Sequence, residues 1–432
     1  MKRIAALVLT FALLLGLAAC GGSAGRRSAP EQVPEQDEQV ELTLWTYPIG
    51  GWGSSGALSA LLAAFHQEYP SIQVSAKTLT YEDGDAQVEA AAEAGGLPDL
   101  VLEGPERLVA NWGARDMMVP LNDLWEDAAA GAIYDSVRDA CRDGQGNYYV
   151  YPLCMTTHCM AVNRDLLEAA GAWQYIDEEH HTWSTDDFIA AVAALRAYGV
   201  EDVAAVYCGG QAGDQGTRAL VNNLYSGAFT DPEHTRYTAD SPENVKALEL
   251  LAGMDGVRFD PAITGTDEID LFCRGQLAMA FCWNVFMEIN QAVSNPDLTF
   301  DIFPMTFPTD DGDFDLQGGI WGFGIFDSGD EARLRAAKTF IRFMTGDDAQ
   351  YTRAVQTSSY WPVRDLPGIY DNDRLMIEYG VFQQYLGDYY QVTPGWAEAR
   401  TAWWNMLRQV GEGVPADRAL KEFAHRANAA AG

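Results

Sequence analysis

The chain has 432 residues, too many for one ordinary hydrophobic core, and 48% of them are hydrophobic, which predicts a globular protein of two domains or two lobes. Its 62 acidic against 28 basic residues give a formal charge of −34; removing the first 19 residues, which hold Lys2 and Arg3 but no acid, takes this to about −36. A surface of that sign repels phosphate backbones and argues against nucleic acid as a partner, while favouring solubility; it does not by itself select a cationic ligand.

At the N-terminus Lys2 and Arg3 precede "IAALVLTFALLLGLAA", an apolar run of 16 residues. That is short of the roughly 20 needed to span a bilayer and has the layout of a signal peptide over residues 1–19. The run closes with Leu17-Ala18-Ala19-Cys20, which resembles the bacterial lipobox. The resemblance implies a mature chain that starts at Cys20, with a diacylglycerol on its thiol anchoring it to the membrane. Residues 20–39, rich in Gly, Ser, Pro, Glu and Gln, have little to bury and read as a flexible linker. Gly21-Gly22-Ser23-Ala24-Gly25 matches the G-x-S-x-G of hydrolases, but without a flanking strand and helix it carries no catalytic weight.

From residue 40 short apolar runs alternate with helix-period segments, the rhythm of an α/β protein. "LTLW" reads as a strand. Leu58, Leu61, Leu62 and Phe65 then mark one face of a helix over 56–68, with Ser54 or Ser55 as its cap and Pro70 beyond its end. "SIQV", "PDLVLE", "GQGNYYVYP" and "HCMAVN" read as strands or turn-strand units. Ser184 and Asp187 have capping-box spacing at the head of a helix. "FCRGQLAMAFCW" reads as a helix end, a glycine and a buried strand; Ala337, Phe340, Ile341 and Met344 share a helical face; and the C-terminal third is helical and rich in tryptophan. Beyond Cys20 the cysteines are Cys141, Cys154, Cys159, Cys208, Cys273 and Cys282, with no C-x-x-C pair; buried free thiols are expected.

Gly51-Trp52-Gly53-Ser54-Ser55-Gly56 matches G-x-G-x-x-G, the dinucleotide fingerprint, between a strand and a helix. In that fold the glycines come directly off the strand, and an acid about 20 residues on holds the ribose. Here "TYPI" intervenes, Pro48 keeps Tyr47 extended, and Ser75, Ala76 and Lys77 stand where the acid belongs. No NAD site follows, and no other cofactor is expected. "EEHH" at 178–181 reads as a solvated turn rather than a metal site. Asp311, Asp313 and Asp315 have calcium-loop spacing, but Leu316 replaces the glycine and Gly322 the bidentate Glu, so this is an acidic surface loop.

Taken together and in order, "ELTLWTY", "LLAAFHQEYPSIQV", "GGLPDLVLE", "GNYYVYPLCMTTHCMAVNRDLLEAAG", "TWSTDDF", "FCRGQLAMAF", "AAKTFIRFMTGDDAQ", "YWPVR" and the tail "WWNMLRQVGEGVPADRALKEFAHRAN" resemble extracellular solute-binding proteins of family 1. These are the maltodextrin-binding-like receptors of sugar ABC transporters, and the likeness spans residues 41 to about 428. It implies a two-lobed, type II periplasmic-binding-protein-like α/β fold. Each lobe would be a discontinuous sandwich around a mostly parallel sheet, with ligand in the cleft between. Crossings near 152–156, 298–303 and 344–348 would divide the chain into an N-terminal lobe of 40–152 plus 302–345 and a C-terminal lobe of 153–301 plus 346–432.

Sugars offer apolar C–H faces and hydroxyl rims, which aromatic rings, carboxylates and amides recognise. The loops that such a fold aims at its cleft carry Trp45, Tyr47 and Trp52 after the first strand, Glu103 after "PDLVL", Trp283 and Asn284, Trp321 in "GGIWGFG", and Tyr360 and Trp361. His158 reads better as a buried, hydrogen-bonded histidine, and Trp396 as a rim or helix-capping residue. The reading is a monomeric, non-enzymatic, lipid-anchored receptor on the outer face of the cytoplasmic membrane. It captures a carbohydrate and hands it to the permease of an ABC importer. The alternatives are a secreted glycoside hydrolase, a receptor for a non-sugar solute such as a polyamine or glycerol phosphodiester, and a surface adhesin.

Overall fold

A computed structural model describes residues 39–210, 215–295 and 298–432. Among these, the strands run in chain order as β1 (Val40–Thr46), β2 (Ile72–Thr78), β3 (Leu100–Glu103), β4 (Tyr151–Thr157), β5 (Cys159–Asn163), β6 (Ala204–Tyr207), β7 (Val257–Asp260), β8 (Met279–Trp283), β9 (Ile302–Met305), β10 (Gly318–Ile325) and β11 (Trp361–Pro362). The signal-peptide, linker and Cys20 assignments lie outside the described residues.

The first lobe is built on a six-stranded sheet of order β11-β4-β10-β3-β1-β2. β1, β2, β3 and β4 point one way, and β10 and β11 run against them. Burial follows position. Central β3 and β10 are buried at every residue, as a sheet covered on both faces requires, whereas edge strand β2 buries only Ile72 and Val74. The second lobe pairs β5 between β8 and β9, and joins the parallel pair β6–β7 through the amides of Ala278 and Met279 on the Val203 carbonyl. Glu268, in the helix Gly265–Cys273, is fully buried and accepts the Phe281 and Cys282 amides at 2.7 and 2.8 Å, pinning that helix to β8. The expected capping box forms, with Ser184 and Asp187 each bonding the other's backbone amide. None of the six described cysteines forms a disulfide, and all six are buried.

The ladders move the lobe boundaries expected from sequence. Residues 152–156 lie inside β4, bonded to β10 and β11, so the first crossing falls at His158, between β4 and β5. Ile302–Met305 pairs with β5 in the second lobe, which puts the second crossing between Met305 and Gly318 rather than near 298–303. The helix Asp348–Ser358 and β11 belong to the first lobe. Tyr351 bonds the Leu153 carbonyl, and β11 pairs with β4. The third crossing therefore follows Arg364, which still bridges Ile133, and precedes the helix Arg374–Gly380. The first switch, at His158, has no glycine or proline to mark it, whereas Pro308 and Gly312 fall within the second and Pro367 and Gly368 within the third; which strands pair across such segments is not something periodicity registers.

Candidate functional site

Three elements of the first lobe converge where β1 and β3 end. β3 delivers Glu103; Gly104 and Pro105 then open a short helix, Pro105–Arg107, that widens into Leu108–Gly113 and presents Glu106 and Arg107. Directly after β1 comes Tyr47, whose ring packs on Gly84 at the start of the helix Gly84–Ala94; a β-carbon at Gly84 would lie 2.7 Å from that ring. Asp85 in that helix's first turn accepts the Tyr47 hydroxyl at 2.5 Å. Arg107 ties the group together: Nε reaches Asp85 at 2.7 Å, Nη1 reaches Glu103 at 2.8 Å and Glu106 at 3.6 Å, and the guanidinium lies 4.8 Å from the Tyr47 ring centre.

Burial sets the electrostatics. It works against the Arg107 charge, yet the carboxylates of Glu103 and Asp85 outweigh it and hold the guanidinium well above its ordinary value. For Glu103 the balance goes the other way: burial raises its carboxyl, with Arg107 opposing and Glu106 and Asp85 adding to the rise. Asp85 is also pushed up by burial, but Arg107 and the Tyr47 hydroxyl bring it below its ordinary value. Only one oxygen of Glu103 is engaged; Oε2 is buried with no hydrogen-bond partner.

The second lobe supplies the facing wall. Helix Trp396–Gly411 begins after Gly395, and Trp396, Arg400 and Trp404, one turn apart, line a cavity of about 310 Å³ against Asp85, Glu106, Arg107 and Asn111. Trp396 is held from behind by Arg218, 4.8 Å from its ring centre. The indole Nε1 atoms of Trp396 and Trp404 are both buried and unpartnered. The lobes touch beside this cavity, where the Tyr389 hydroxyl donates to Glu106 at 2.8 Å and the Gln391 amide donates to the Gly318 carbonyl at 3.1 Å. Trp321 stacks on Tyr360 at 4.9 Å, and Phe286 of the second lobe approaches Tyr360 edge-on at 6.2 Å.

Of the residues singled out from sequence, Tyr47 and Glu103 join the Arg107 cluster, and Trp321 and Tyr360 form the nearby stack. Trp361 lines a separate hollow with Met155, Leu366 and Gly380. Trp45 faces Lys77 of β2, whose ammonium lies 4.2 Å from the ring centre. Trp283 is fully buried, donates to the Tyr379 hydroxyl at 2.7 Å and packs on Phe272, while Asn284 caps the helix Val285–Ser294. His158 is buried at the first crossing, its amide on the Gln317 carbonyl. Trp52 leaves the candidate set. It is fully buried in the first lobe, donating to the Ala354 carbonyl at 2.9 Å with its ring edge-on to Phe323.

The glycines before Trp52 serve the same packing. A β-carbon on Gly50, whose φ is +52°, would lie 1.8 Å from the Ser358 carbonyl oxygen, and one on Gly51 would lie 2.1 Å from that of Thr357. They admit the end of a helix, not a ligand. Sequence reasoning missed Asp85, Glu106, Arg107, Arg400 and Trp404. The usable signals were a proline-started helix directly after β3, which places charged side chains at a strand's C-terminal end, and the i, i+4, i+8 spacing of Trp396, Arg400 and Trp404.

Among the described residues no cluster of three or more His, Cys, Asp or Glu side chains is arranged to hold a metal, and no helix is long and apolar enough to cross a membrane. His180 instead pairs with Asp177 at 2.9 Å, and His181 stacks on Phe303.

The bacterial extracellular solute-binding protein family matches residues 60–366, most of the chain. The chain belongs to this family. Its members are extracellular binding proteins rather than enzymes. A search of the curated proteins gives no significant match. Solved structures give the fold: a cyclic α-maltosyl-1,6-maltose binding protein from Arthrobacter globiformis superposes with a TM-score of 0.73 at 19% identity, covering 91% of this chain and 99% of its own. A solute-binding protein from Thermotoga lettingae with bound α-D-tagatose has a TM-score of 0.73 at 16% identity, covering 91% and 100%. A third, from Agrobacterium radiobacter K84 with ribitol, has a TM-score of 0.68 at 19% identity, covering 91% and 99%. This solute-binding protein thus has the two-lobed fold of those receptors.

Proposed function

We propose that this solute-binding protein is the receptor of an ABC importer for a carbohydrate, held in the cavity between the Arg107 cluster and the Trp396–Trp404 face. The observation that carries the reading is the cavity itself, lined by Asp85, Glu106 and Arg107 from one lobe and by Trp396, Arg400 and Trp404 from the other, with the indole N–H groups of both tryptophans buried and unpartnered. Left empty, each donor forgoes a bond worth about 0.5–1.5 kcal/mol, and a ligand rich in hydroxyls supplies acceptors and donors together. A ligand touching both walls favours the arrangement in which they are close, which couples capture to lobe closure. The sugar and polyol ligands named for three of the fold relatives support the same class. With two acyl chains on Cys20, the receptor stays at the outer membrane face beside its permease.

A thermal-shift and tryptophan-fluorescence screen against mono- and oligosaccharides, polyols, polyamines and glycerol phosphodiesters tests it. At least one sugar or polyol is expected to raise the melting temperature. A response confined to polyamines or phosphodiesters, or turnover of aryl glycosides, contradicts the reading. Cys20→Ala is expected to abolish lipid labelling and release the protein to the medium or leave an uncleaved precursor; unchanged labelling refutes the anchor.

A further inference from the structure

The two lobes share one strip of chain. After the third crossing, residues 389–393 run along the lobe boundary with successive side chains turned to opposite lobes. Tyr390 belongs to the second: Arg218 Nε donates to its hydroxyl at 3.2 Å, its ring stacks on Phe229 at 4.7 Å, and it lies 5.8 Å from the Trp396 ring. The Tyr237 hydroxyl donates to the Thr393 and Pro394 carbonyls at 3.2 and 2.9 Å, fixing the strip just before the helix Trp396–Gly411. The residues on either side of Tyr390 reach the other way. The Tyr389 hydroxyl donates to Glu106 and the Gln391 amide to the Gly318 carbonyl, and both residues are buried, at 6% and 1% exposure.

Glu106 is where this strip meets the cavity. It lines the cavity with Arg107 and Trp396, and its carboxylate folds back over Gly104, where a β-carbon would lie 2.2 Å from Oε2, the oxygen that accepts from Tyr389. Arg107 Nη1 stands 3.6 Å from the other oxygen. A carboxylate has about four lone-pair positions, so Glu106 can take ligand hydroxyls beside Tyr389. A hydroxyl-to-carboxylate bond is about twice as strong as a neutral one, and this one spans the two lobes, so it exists only while they are in contact. Parted lobes return both groups to water.

We propose that Tyr389 is a positioning residue of the ligand site: by bonding Glu106 across the lobe boundary it holds that carboxylate in the orientation that meets a ligand, and it favours the closed arrangement before any ligand arrives. The inference rests on the reading above for the place of the ligand and for its class. A receptor whose binding-competent state is already populated has an apparent dissociation constant closer to the intrinsic one, because the intrinsic constant is divided by the competent fraction. The hydroxyl acts once the lobes have met, so its loss shortens the bound lifetime rather than slowing capture.

Hydrogen–deuterium exchange of the empty full-length protein tests the cross-lobe bond without a ligand. Tyr389→Phe, which deletes one oxygen atom from the second lobe, is expected to speed exchange at least about threefold in residues 104–113 and 318–320 of the first lobe while leaving 279–283 of the second unchanged. Unchanged exchange in those first-lobe segments, or equal acceleration throughout both lobes, overturns the proposal. Gln391→Met removes the other cross-lobe donor and decides in the same way should Tyr389→Phe not fold. With whichever of maltose, D-tagatose and ribitol binds, Tyr389→Phe is expected to raise Kd about tenfold through faster dissociation, with association within about twofold of the parent. The same substitution is expected to add less than about twofold when Glu106→Ala is already present. Unchanged dissociation, or full additivity with Glu106→Ala, overturns the proposal and leaves the carbohydrate reading standing. If spermidine binds and none of the three does, the carbohydrate reading falls, while the exchange result still decides whether Tyr389 holds the lobes together.

Discussion

Two tryptophan-bearing segments of this molecule look alike as strings and differ in what their indoles do. Trp52, in the glycine-rich turn Gly50–Gly53, is fully buried and spends its N–H on a carbonyl of its own lobe. Trp396 and Trp404 hold theirs unpartnered at the wall of a cavity whose other wall is the second lobe's neighbour. A buried tryptophan whose donor is satisfied at home is framework; one whose donor is left open beside a cavity is poised for something that arrives. Aromatic content and loop position do not separate the two cases, and neither does an open donor alone, since Trp112 is fully buried on Phe326 with its N–H equally unpartnered; the open donor together with a place at the cavity does.

The contrast makes its largest prediction at Trp52. Trp52→Ala removes a filled core volume and the indole's bond to the Ala354 carbonyl, so stability is expected to fall by about 3–5 kcal/mol in urea unfolding. Ligand affinity per folded molecule should be unchanged; normal stability with weakened binding would reverse the assignment. A smaller effect probes the scaffold behind the other wall. Burial raises Glu268 to about 8, against its bonds to the Phe281 and Cys282 amides, and burial also raises Glu288 and Asp315 to about 7. Raised acids contribute stability that is complete below their ordinary values and is lost as pH rises through the folded ones. Unfolding stability should therefore drop by about 1–3 kcal/mol between pH 5 and pH 8.5, a window in which carboxylates of lowered pKa stay ionised and contribute no slope. Glu268→Gln should flatten the decline, and stability rising across that window would contradict it. Smallest of all, Trp404→Phe keeps most of the ring and deletes the open donor. It is expected to weaken binding of the sugar found by screening about 3–10-fold, with a melting temperature within about 2 °C of the parent, whereas an unchanged dissociation constant would remove that donor from the site.

Much of the scaffold was legible in the sequence because its signals are local. The helix starting near Ser54, the Ser184–Asp187 capping box and the apolar face of Ala337, Phe340, Ile341 and Met344 all appear, since spacing and caps act over a turn or two. The lobe boundaries were misplaced because strand partners are set far apart in sequence: β9 joins β5 in the second lobe and β11 joins β4 in the first, and local pattern does not report either pairing. At the site, Glu103 and Tyr47 were readable from their places at strand ends. Asp85, Arg107 and Arg400 were not, because they come from elements far apart in sequence and become a unit only when two lobes meet. Trp52 misled because a glycine-rich turn after a strand has the same spelling whether its glycines admit a ligand or the end of a neighbouring helix.

Hydrogen–deuterium exchange with and without a saturating sugar from the screen tests the central claim most directly, because it reads both segments in one experiment. Binding between the Arg107 cluster and the Trp396–Trp404 face predicts slowed exchange in residues 103–113 of the first lobe and 395–404 of the second, and none beyond the background change at 50–54. Protection centred on 50–54, or confined to a single lobe, would contradict it.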